Sequence, residues 1–406
     1  MDRSVPSAWN RFRKYFGLEH NILVLLVALV LLGLGEELWV SFVPKYLEAL
    51  GTGAFVWAAY RTLKDLLDAF YQYPGGTLAD RLGRRRSLVL FNLLAIIGYI
   101  IYLLSEHWVW FLVGTLFVAS WSSMSLPATF AVIGDSLANS RRAIGFSVQS
   151  ILKRVPIVVA PVIGGFLLQR LGIIDGFRVG LVVTIFLALL ALWFQQRYYV
   201  EKSIERPVRP SGILTTFRDF DPGLRRLLVS DILARIAEGM PAALVIIFIT
   251  TGLGASVAAF GMMRGLQMLT AILLYIPAGK LAERWGQRFF ISLTFAFFAL
   301  FPLVLAAYPL VAGVNLAAFL VLAAVVAGLR EIGEPARKGL IVDLADEDRI
   351  GQVVGTYYLI RGLSVAAAPL LGAYLWNISP VLMFVIAGFI GTLGAIWYIW
   401  QSPGLA

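Results

Sequence analysis

The residues of this chain that could do chemistry are ionisable side chains that stand inside long apolar segments. Carboxylates that could take up and release a proton there are Glu36, Glu37, Asp65, Asp68, Glu238 and Glu334. Side chains that could line a cavity for a substrate are Arg61, Lys64, Trp39, Trp121, Arg154, Arg235, Arg264, Arg330 and Arg361. A charge at the centre of a bilayer costs roughly 2.5–3.5 kcal/mol. We therefore expect these groups to face a bundle interior, water or one another.

The spacing of several of these charges places them on one helical face. The pattern i, i+3, i+4, i+7 is followed by Arg61, Lys64, Asp65 and Asp68. It brings opposite charges to positions four residues apart, where they can pair. The same spacing predicts the pairs Asp231–Arg235 and Arg330–Glu334.

A structural role is the alternative for these residues, and the sequence leaves it open. The charges, among them Asp231, Glu331 and Lys153, could pair only to hold helices together. In the same way, Trp39 and Trp121 could serve packing rather than substrate binding.

The elements that must position these groups are membrane-spanning helices. The chain has 406 residues, of which 59% are hydrophobic and only 14% are charged, with a mean hydropathy of +0.82. Soluble proteins carry about 25% charged residues, so the composition indicates an integral membrane protein. The absence of cysteine excludes disulfides and thiol chemistry, and no metal-ligand spacing occurs. We expect no metal, no cofactor and no nucleic-acid partner.

Apolar runs long enough to cross a bilayer, about 20 residues each, predict an all-α membrane protein with 12 transmembrane helices in two six-helix halves. The predicted spans are 21–47, 53–75, 88–104, 108–133, 144–169, 175–195, 224–250, 255–279, 288–308, 313–340, 351–376 and 380–400. The predicted domains are residues 1–195, a cytoplasmic linker over residues 196–222, and residues 223–406.

The distribution of basic residues predicts the orientation in the membrane. With the N-terminus in the cytoplasm, the inner segments hold most of the basic residues, including Arg81, Arg284 and Arg337. The outer loops then hold only Lys45, Arg170 and Arg178. The positive-inside rule therefore predicts a multi-pass protein of the cell (inner) membrane with both termini cytoplasmic. This arrangement also accounts for the net charge of +10.

An internal repeat divides the sequence into two related modules. The stretch GTLADRLGRR at 76–85 recurs as GKLAERWGQR at 279–288, an offset of 203 residues. Further along, the offset drifts to 208, as in the pairs Pro127 and Pro335 or Asp135 and Asp343. The flanking prolines and acids keep the register, so we interpret the chain as two copies of one membrane module.

These features together resemble the major facilitator superfamily of secondary transporters. Residues 76–85 match its loop signature G-x-L-x-D-R-x-G-R-R between the second and third spans. The resemblance implies a two-state latch on the cytoplasmic side, with Asp80 capping a helix of the other half and arginines pairing with acids. The latch residues that it implies are Gly76, Asp80, Arg81, Gly83, Arg84, Asp135, Glu283, Arg288 and Asp343.

The fifth span resembles the P-x-x-G-G end of the signature of proton-coupled exporters in that superfamily. It carries this pattern from Pro161 to Gly165, although Pro156 stands where a glycine is usual. The fourth span departs further, because residues 112–133 contain no basic residue.

The resemblance implies a monomeric secondary transporter, not an enzyme, that works by alternating access with its substrate near the midplane. We expect proton-coupled export (antiport) of small organic compounds, with Glu36 or Asp68 as the proton carrier. An importer or exchanger of an organic anion, bound by cavity arginines, is the alternative. A lipid flippase, or a receptor on the same scaffold that does not transport, is a third interpretation.

Overall fold

The structure of the protein, a computed structural model, describes residues 20–125, 139–200, 213–310, 313–345 and 350–401. Within these ranges all regular structure is helical. The helices of the N-terminal part are α1 His20–Glu37, α2 Val43–Ala49, α3 Ala54–Leu82, α4 Arg84–Leu104, α5 Trp108–Ala119, α6 Asn139–Leu171, α7 Ile173–Tyr198 and α8 Ile213–Arg218. They continue with α9 Pro222–Gly239, α10 Val245–Ile247, α11 Val257–Trp285, α12 Gln287–Ala307, α13 Leu316–Leu329, α14 Glu334–Asp343, α15 Ile350–Val365, α16 Ala368–Ile378 and α17 Pro380–Trp400.

The chain forms two compact units. Unit 1 comprises the described parts of Met1–Val40, Phe70–Ala160 and Phe177–Glu205. Unit 2 comprises the described parts of Ser41–Ala69, Pro161–Gly176 and Arg206–Ala406. The predicted domain boundaries at 195 and 223 remain a prediction.

Most of the long helices are apolar enough to cross a bilayer. Nine helical segments of the described chain meet the length and hydropathy of a span. The predicted spans at 53–75 and 224–250 are not among them, because α3 and α9 carry the clustered charges. The helix over Trp108–Met124 is apolar but short within the described residues.

Several predicted spans are interrupted near their middle. The first predicted span is interrupted between α1 and α2, the seventh between α9 and α10, and the tenth between α13 and α14. In the fourth, a π-helical turn at Ser120–Met124 widens the helix. The interruptions fall at equivalent positions of the two sequence modules. Glu36 aligns with Gly239 at an offset of 203 residues, and Ser122 aligns with Arg330 at an offset of 208.

Prolines explain why two of the helices restart where they do. Pro44 and Pro335 occupy the first turn of α2 and α14. Backbone N–H groups in a first turn have no partner within the helix, so the missing N–H of proline costs no hydrogen bond there. The predicted spans at 21–47 and 313–340 are confirmed as candidate membrane spans, over His20–Ala49 and Leu316–Asp343, and each contains such a restart.

The core of unit 2 packs α9, α12, α14, α15 and α17 around large apolar side chains. Phe295, Phe298 and Tyr357 are buried at its centre. The restart at α14 lies tightly against α12: a Cβ added to Gly333 would lie 2.2 Å from the carbonyl oxygen of Phe290. The backbone of the broken tenth span is thus fixed against a neighbouring helix.

Candidate functional site

The charged groups of unit 2 converge on the carboxylate of Asp231 in α9. Its Oδ2 accepts hydrogen bonds from Arg337 at 2.6 Å, from the Tyr357 hydroxyl at 3.0 Å and from Arg361 at 3.3 Å. Asp231 is fully buried and the side chain of Arg337 is 2% exposed. Buried charges are tolerated only when they are paired and hydrogen-bonded, and this group of contacts meets that condition.

Glu334, the first residue of α14, joins the same network. Its two oxygens accept hydrogen bonds from Nε and Nη2 of Arg337, at 3.1 and 2.7 Å. Arg235 donates to Glu334 at 2.5 Å and to Glu238 at 2.8 Å. The two-pronged Arg337–Glu334 contact lies within α14, where such pairing is strong and directional. The Arg235–Glu334 contact joins α9 to α14.

Two sequence-based expectations need correction here. Arg330 pairs with Glu238 at 3.6 Å, and not with Glu334 as the spacing predicts. The turn between α13 and α14 interrupts the helix, so positions four residues apart no longer face each other. Arg337, which the charge distribution places on the cytoplasmic side, is instead buried in the network. The predicted Asp231–Arg235 pair is present at 3.6 Å.

Aromatic rings support the arginines of this network. The guanidinium of Arg330 lies 4.5 Å from the ring centre of Phe301 and 5.4 Å from that of Phe298. The guanidinium of Arg361 lies 4.5 Å from the ring centre of Tyr358. Cation–π contacts of this kind hold a guanidinium in place while leaving its N–H groups available.

The charged face of α3 also belongs to unit 2, and the structure confirms both predicted pairs. Arg61 contacts Asp65 at 3.1 Å and Lys64 contacts Asp68 at 3.2 Å. The Asp68 side chain remains 38% exposed. A partly exposed charge in a span is tolerable only toward a polar interior, which makes this face part of the candidate site.

Other predicted cavity residues have more varied surroundings. Arg264 in α11 donates to the side-chain oxygen of Gln267 at 2.7 Å. Glu331, in the turn before α14, is half-buried. On α6, Arg154 is half-buried and Lys153 is exposed.

In unit 1, Glu36 and Glu37 stand at the C-terminal end of α1, where the first span is interrupted. Both are half-buried. The hydroxyl of Tyr99 donates to Oε1 of Glu36 at 2.5 Å. Carboxylates at the C-terminal end of a helix face the negative end of the helix dipole, so their charge is not favoured by α1 itself.

The two predicted aromatic residues are buried within unit 1. Trp39 is 1% exposed, and its indole nitrogen donates to Thr184 at 3.0 Å. The rings of Tyr99, Tyr102 and Phe177 surround it at 5.5–6.1 Å. Trp121 is buried in the π-helical turn. These surroundings are those of packing residues.

A second polar contact in unit 2 joins α2 to the turn after α10. The Lys45 ammonium contacts Glu48 at 2.5 Å and the hydroxyl of Thr251 at 2.7 Å, while that hydroxyl donates to Glu48 at 3.0 Å. Nearby, the rings of Phe42 and Phe260 meet edge to face at 5.9 Å. Thr251 aligns with Glu48 at the repeat offset of 203 residues, so equivalent points of the two modules touch.

The predicted latch is described only in part. Asp135 and the side-chain surroundings of Gly76, Asp80 and Glu283 lie outside the described residues. Gly83 has a φ of 86° and joins α3 to α4, a conformation that glycine adopts without strain. Arg81 is exposed, and Arg84 and Arg288 are half-buried. In the second copy, Asp343 accepts a hydrogen bond at 3.3 Å from Gln287, which aligns with Arg84.

Sequence reasoning did not select Arg337, Tyr357, Tyr358 or Tyr99 for the site, although each contacts either a predicted site residue or Asp231. The partners of Tyr357 and Tyr99 are distant in sequence, so no local spacing marks those two residues. The available signals were the positions of Arg337 three residues after Glu334 and of Tyr358 three residues before Arg361, within reach on a helix. Among the described residues, no group of three His, Cys, Asp or Glu could hold a metal.

The whole chain is similar to known membrane proteins. The family model described as Major Facilitator Superfamily matches residues 25–231 and 227–406. The chain is 24% identical over 391 residues to the class H tetracycline resistance protein of Pasteurella multocida, covering 93% of this chain and 94% of that protein. It is 25% identical over 402 residues to the multidrug resistance protein MdtH of Edwardsiella ictaluri (strain 93-146), covering 96% and 94%.

Solved structures with the same fold bind several kinds of solute. A POT family transporter in complex with 5-aminolevulinic acid superposes with a TM-score of 0.77 at 15% identity, covering 94% of this chain and 95% of that one. The nucleoside transporter NupG superposes with a TM-score of 0.79 at 10% identity, covering 94% and 100%. The predicted fold class and family resemblance are thereby confirmed.

Proposed function

The chain belongs to the Major Facilitator Superfamily, whose members are membrane transporters rather than enzymes, and we propose that it exports small organic compounds in exchange for protons. It would act as a monomer in the cell (inner) membrane with both termini in the cytoplasm. The basic residues of the inner segments support that orientation.

Alternating access is supported by the interrupted spans. In secondary transporters, discontinuous helices line the substrate site near the midplane and their ends supply unpaired backbone groups. Here the breaks after α1, α9 and α13 lie next to Glu37, Glu238 and Arg330. Substrate would therefore bind where backbone ends and charges meet. The contact of Lys45 and Glu48 with Thr251 would close the outer side, and the predicted latch would close the inner side.

The observation that carries proton coupling is the hydrogen bond between Tyr99 and Glu36. A phenol hydroxyl can donate to an ionised carboxylate or accept from a protonated carboxyl, so Glu36 keeps a partner in both states. By contrast, Glu238 and Glu334 are held by arginines, and Asp65 and Asp68 by the bases on α3. Glu36 is therefore our candidate for the group that carries the proton.

Export, rather than import, is supported by the relatives and by the fifth span. The curated relatives are named as resistance proteins, and removal of a compound from the cell is a direct route to resistance. Pro161 and Gly165 of the predicted exporter pattern pack against α11, where a Cβ on Gly261 would lie 2.3 Å from the Pro161 carbonyl oxygen. That helix crossing therefore requires glycine.

The test is transport by purified protein in liposomes with an imposed pH gradient. A thermal-shift screen of drugs and metabolites, beginning with tetracycline, would first identify a ligand, because binding to the folded state raises its stability. We expect the gradient to drive accumulation of that ligand. Glu36→Gln should abolish the dependence on the gradient while exchange of the ligand continues.

Glu106→Gln, at an exposed site between α4 and α5, is the matched control and should transport like the unmodified protein. Ligand movement that is equal with and without the gradient would remove the proton from the mechanism. If transport by the Glu36→Gln variant still responded to the gradient, Glu36 would be excluded as the proton carrier.

A further inference from the structure

The network around Asp231 contains more positive than negative charge. Its acids are Asp231, Glu238 and Glu334, and its bases are Arg235, Arg330, Arg337 and Arg361. The charges on α3 add two acids and two bases, and Glu331 and Arg264 add one of each. One positive charge therefore remains in excess among these described residues of unit 2.

Arg361 is the member of the network that is easiest to release. Its contact with Asp231 is the longest of the three hydrogen bonds to that carboxylate, at 3.3 Å against 2.6 Å for Arg337. Its side chain is 21% exposed, whereas that of Arg337 is 2% exposed. Asp231 would keep Arg337 and Tyr357 as donors if Arg361 turned away.

Two further atoms of the network could form a hydrogen bond that compensates for the release of Arg361. Oδ1 of Asp231 and Nε of Arg235 are both buried without a hydrogen bond. They lie 3.6 Å apart, which is too long for a hydrogen bond. A small movement of Arg235 would convert this contact into one, and would replace the donor that Arg361 withdraws.

The position of Arg361 suits it to meet a ligand. Tyr358, one turn earlier on α15, holds the guanidinium from one side. At the next residue, Gly362, α15 approaches α3 so closely that an added Cβ would lie 3.3 Å from Cβ of Ala69. The backbones of α15 and α3 thus approach each other one residue from Arg361 and one residue from Asp68, whose side chain is partly exposed.

We propose that Arg361 binds an anionic group of the transported compound, a carboxylate or another oxyanion that can accept two parallel N–H donors, in exchange for Asp231. A guanidinium recognises such a group in a bidentate manner, and a lysine does not. The excess charge in the network then balances the ligand. This inference rests on the proposed transport function and narrows its substrate class to organic anions, including zwitterions with a carboxylate.

The experiment is equilibrium binding to purified protein, measured as ligand-induced thermal shift at constant ionic strength. The probes are benzoate, phosphate and sulfate, with neutral benzamide as the comparison for benzoate. We expect at least one anion to raise the Tm in a saturable way and benzamide to have no effect. Arg361→Gln should weaken that binding by about tenfold or more, because it removes hydrogen bonds between a charged donor and the anion. Arg361→Lys should restore part of it.

Arg226→Gln, at an exposed position on α9, is the matched control and should bind like the unmodified protein. Absence of a saturable shift with every anion would overturn the proposal, as would a shift that Arg361→Gln leaves unchanged. Because this readout needs neither a gradient nor transport, it can fail while proton-driven export stands. Export can likewise fail while anion binding stands.

Discussion

At the scale of single residues, the structure separates charges that are enclosed and paired from charges that remain partly accessible. Arg337 and Asp231 are enclosed and contact each other at 2.6 Å. Arg361 and Glu36 are accessible, and a tyrosine ring or hydroxyl lies beside each. The same residue types therefore have different surroundings, and burial distinguishes them.

Arg337→Met should strongly destabilise the protein. Removal of one partner from a buried ionic group leaves uncompensated charge and typically costs about 3–5 kcal/mol. We expect a markedly lower Tm and less monodisperse protein in detergent. Arg226→Met, which removes an exposed arginine, should change the Tm little. A Tm for Arg337→Met close to that of the control would show that the network contributes no stability.

At the scale of helices, the interruptions are as important as the helices themselves. The turn before α14 separates Arg330 from Glu334, so that each contacts α9 instead. This geometry depends on the close approach of Gly333 to α12. A side chain at that position would push apart the two elements that carry the network.

Gly333→Ala should therefore lower stability by about 1–3 kcal/mol, the usual cost of overpacking. The matched control is Gly355→Ala in α15, where an added Cβ meets nothing within 4 Å. Alanine is the better helix former by about 1 kcal/mol, so that variant should be neutral or slightly more stable. Thermal unfolding of the two proteins measures the difference, and equal Tm values would contradict the packing argument.

At the scale of the whole molecule, alternating access requires contacts that form and break. The contact of Lys45 and Glu48 with Thr251 joins equivalent points of the two modules. It lies on the side that the positive-inside rule places outside the cell. Phe260, which contacts Phe42 there, is 4% exposed, so its accessibility reports whether that side is closed.

The absence of cysteine makes this contact directly testable. In Phe260→Cys protein, addition of Glu48→Gln should speed labelling by a membrane-impermeant maleimide several-fold. A neutral amide oxygen accepts the hydrogen bond from Thr251 more weakly than the carboxylate does, which favours the open state. Val314→Cys, at an exposed position, should label at the same rate with or without Glu48→Gln. An unchanged rate at position 260 would show that the contact does not hold the outer side closed.

The sequence by itself determined the class of protein, the repeat and most of the charges of the site, though not Arg337. Long apolar runs are stable only in a bilayer, and ionised groups such as Asp68 within them cannot face lipid at an acceptable cost. The pairs on α3 were also predictable, because a helix fixes the distance between residues four positions apart.

Only the tertiary structure decided which distant charges meet. Arg235 and Glu334 are 99 residues apart, Arg337 and Asp231 are 106 apart, and Arg361 and Asp231 are 130 apart. No local pattern encodes such contacts, because they depend on how α9, α14 and α15 pack and on where a span is broken. The same packing buries Arg337, which the sequence placed in a cytoplasmic segment, and leaves the side chain of Arg361 partly exposed.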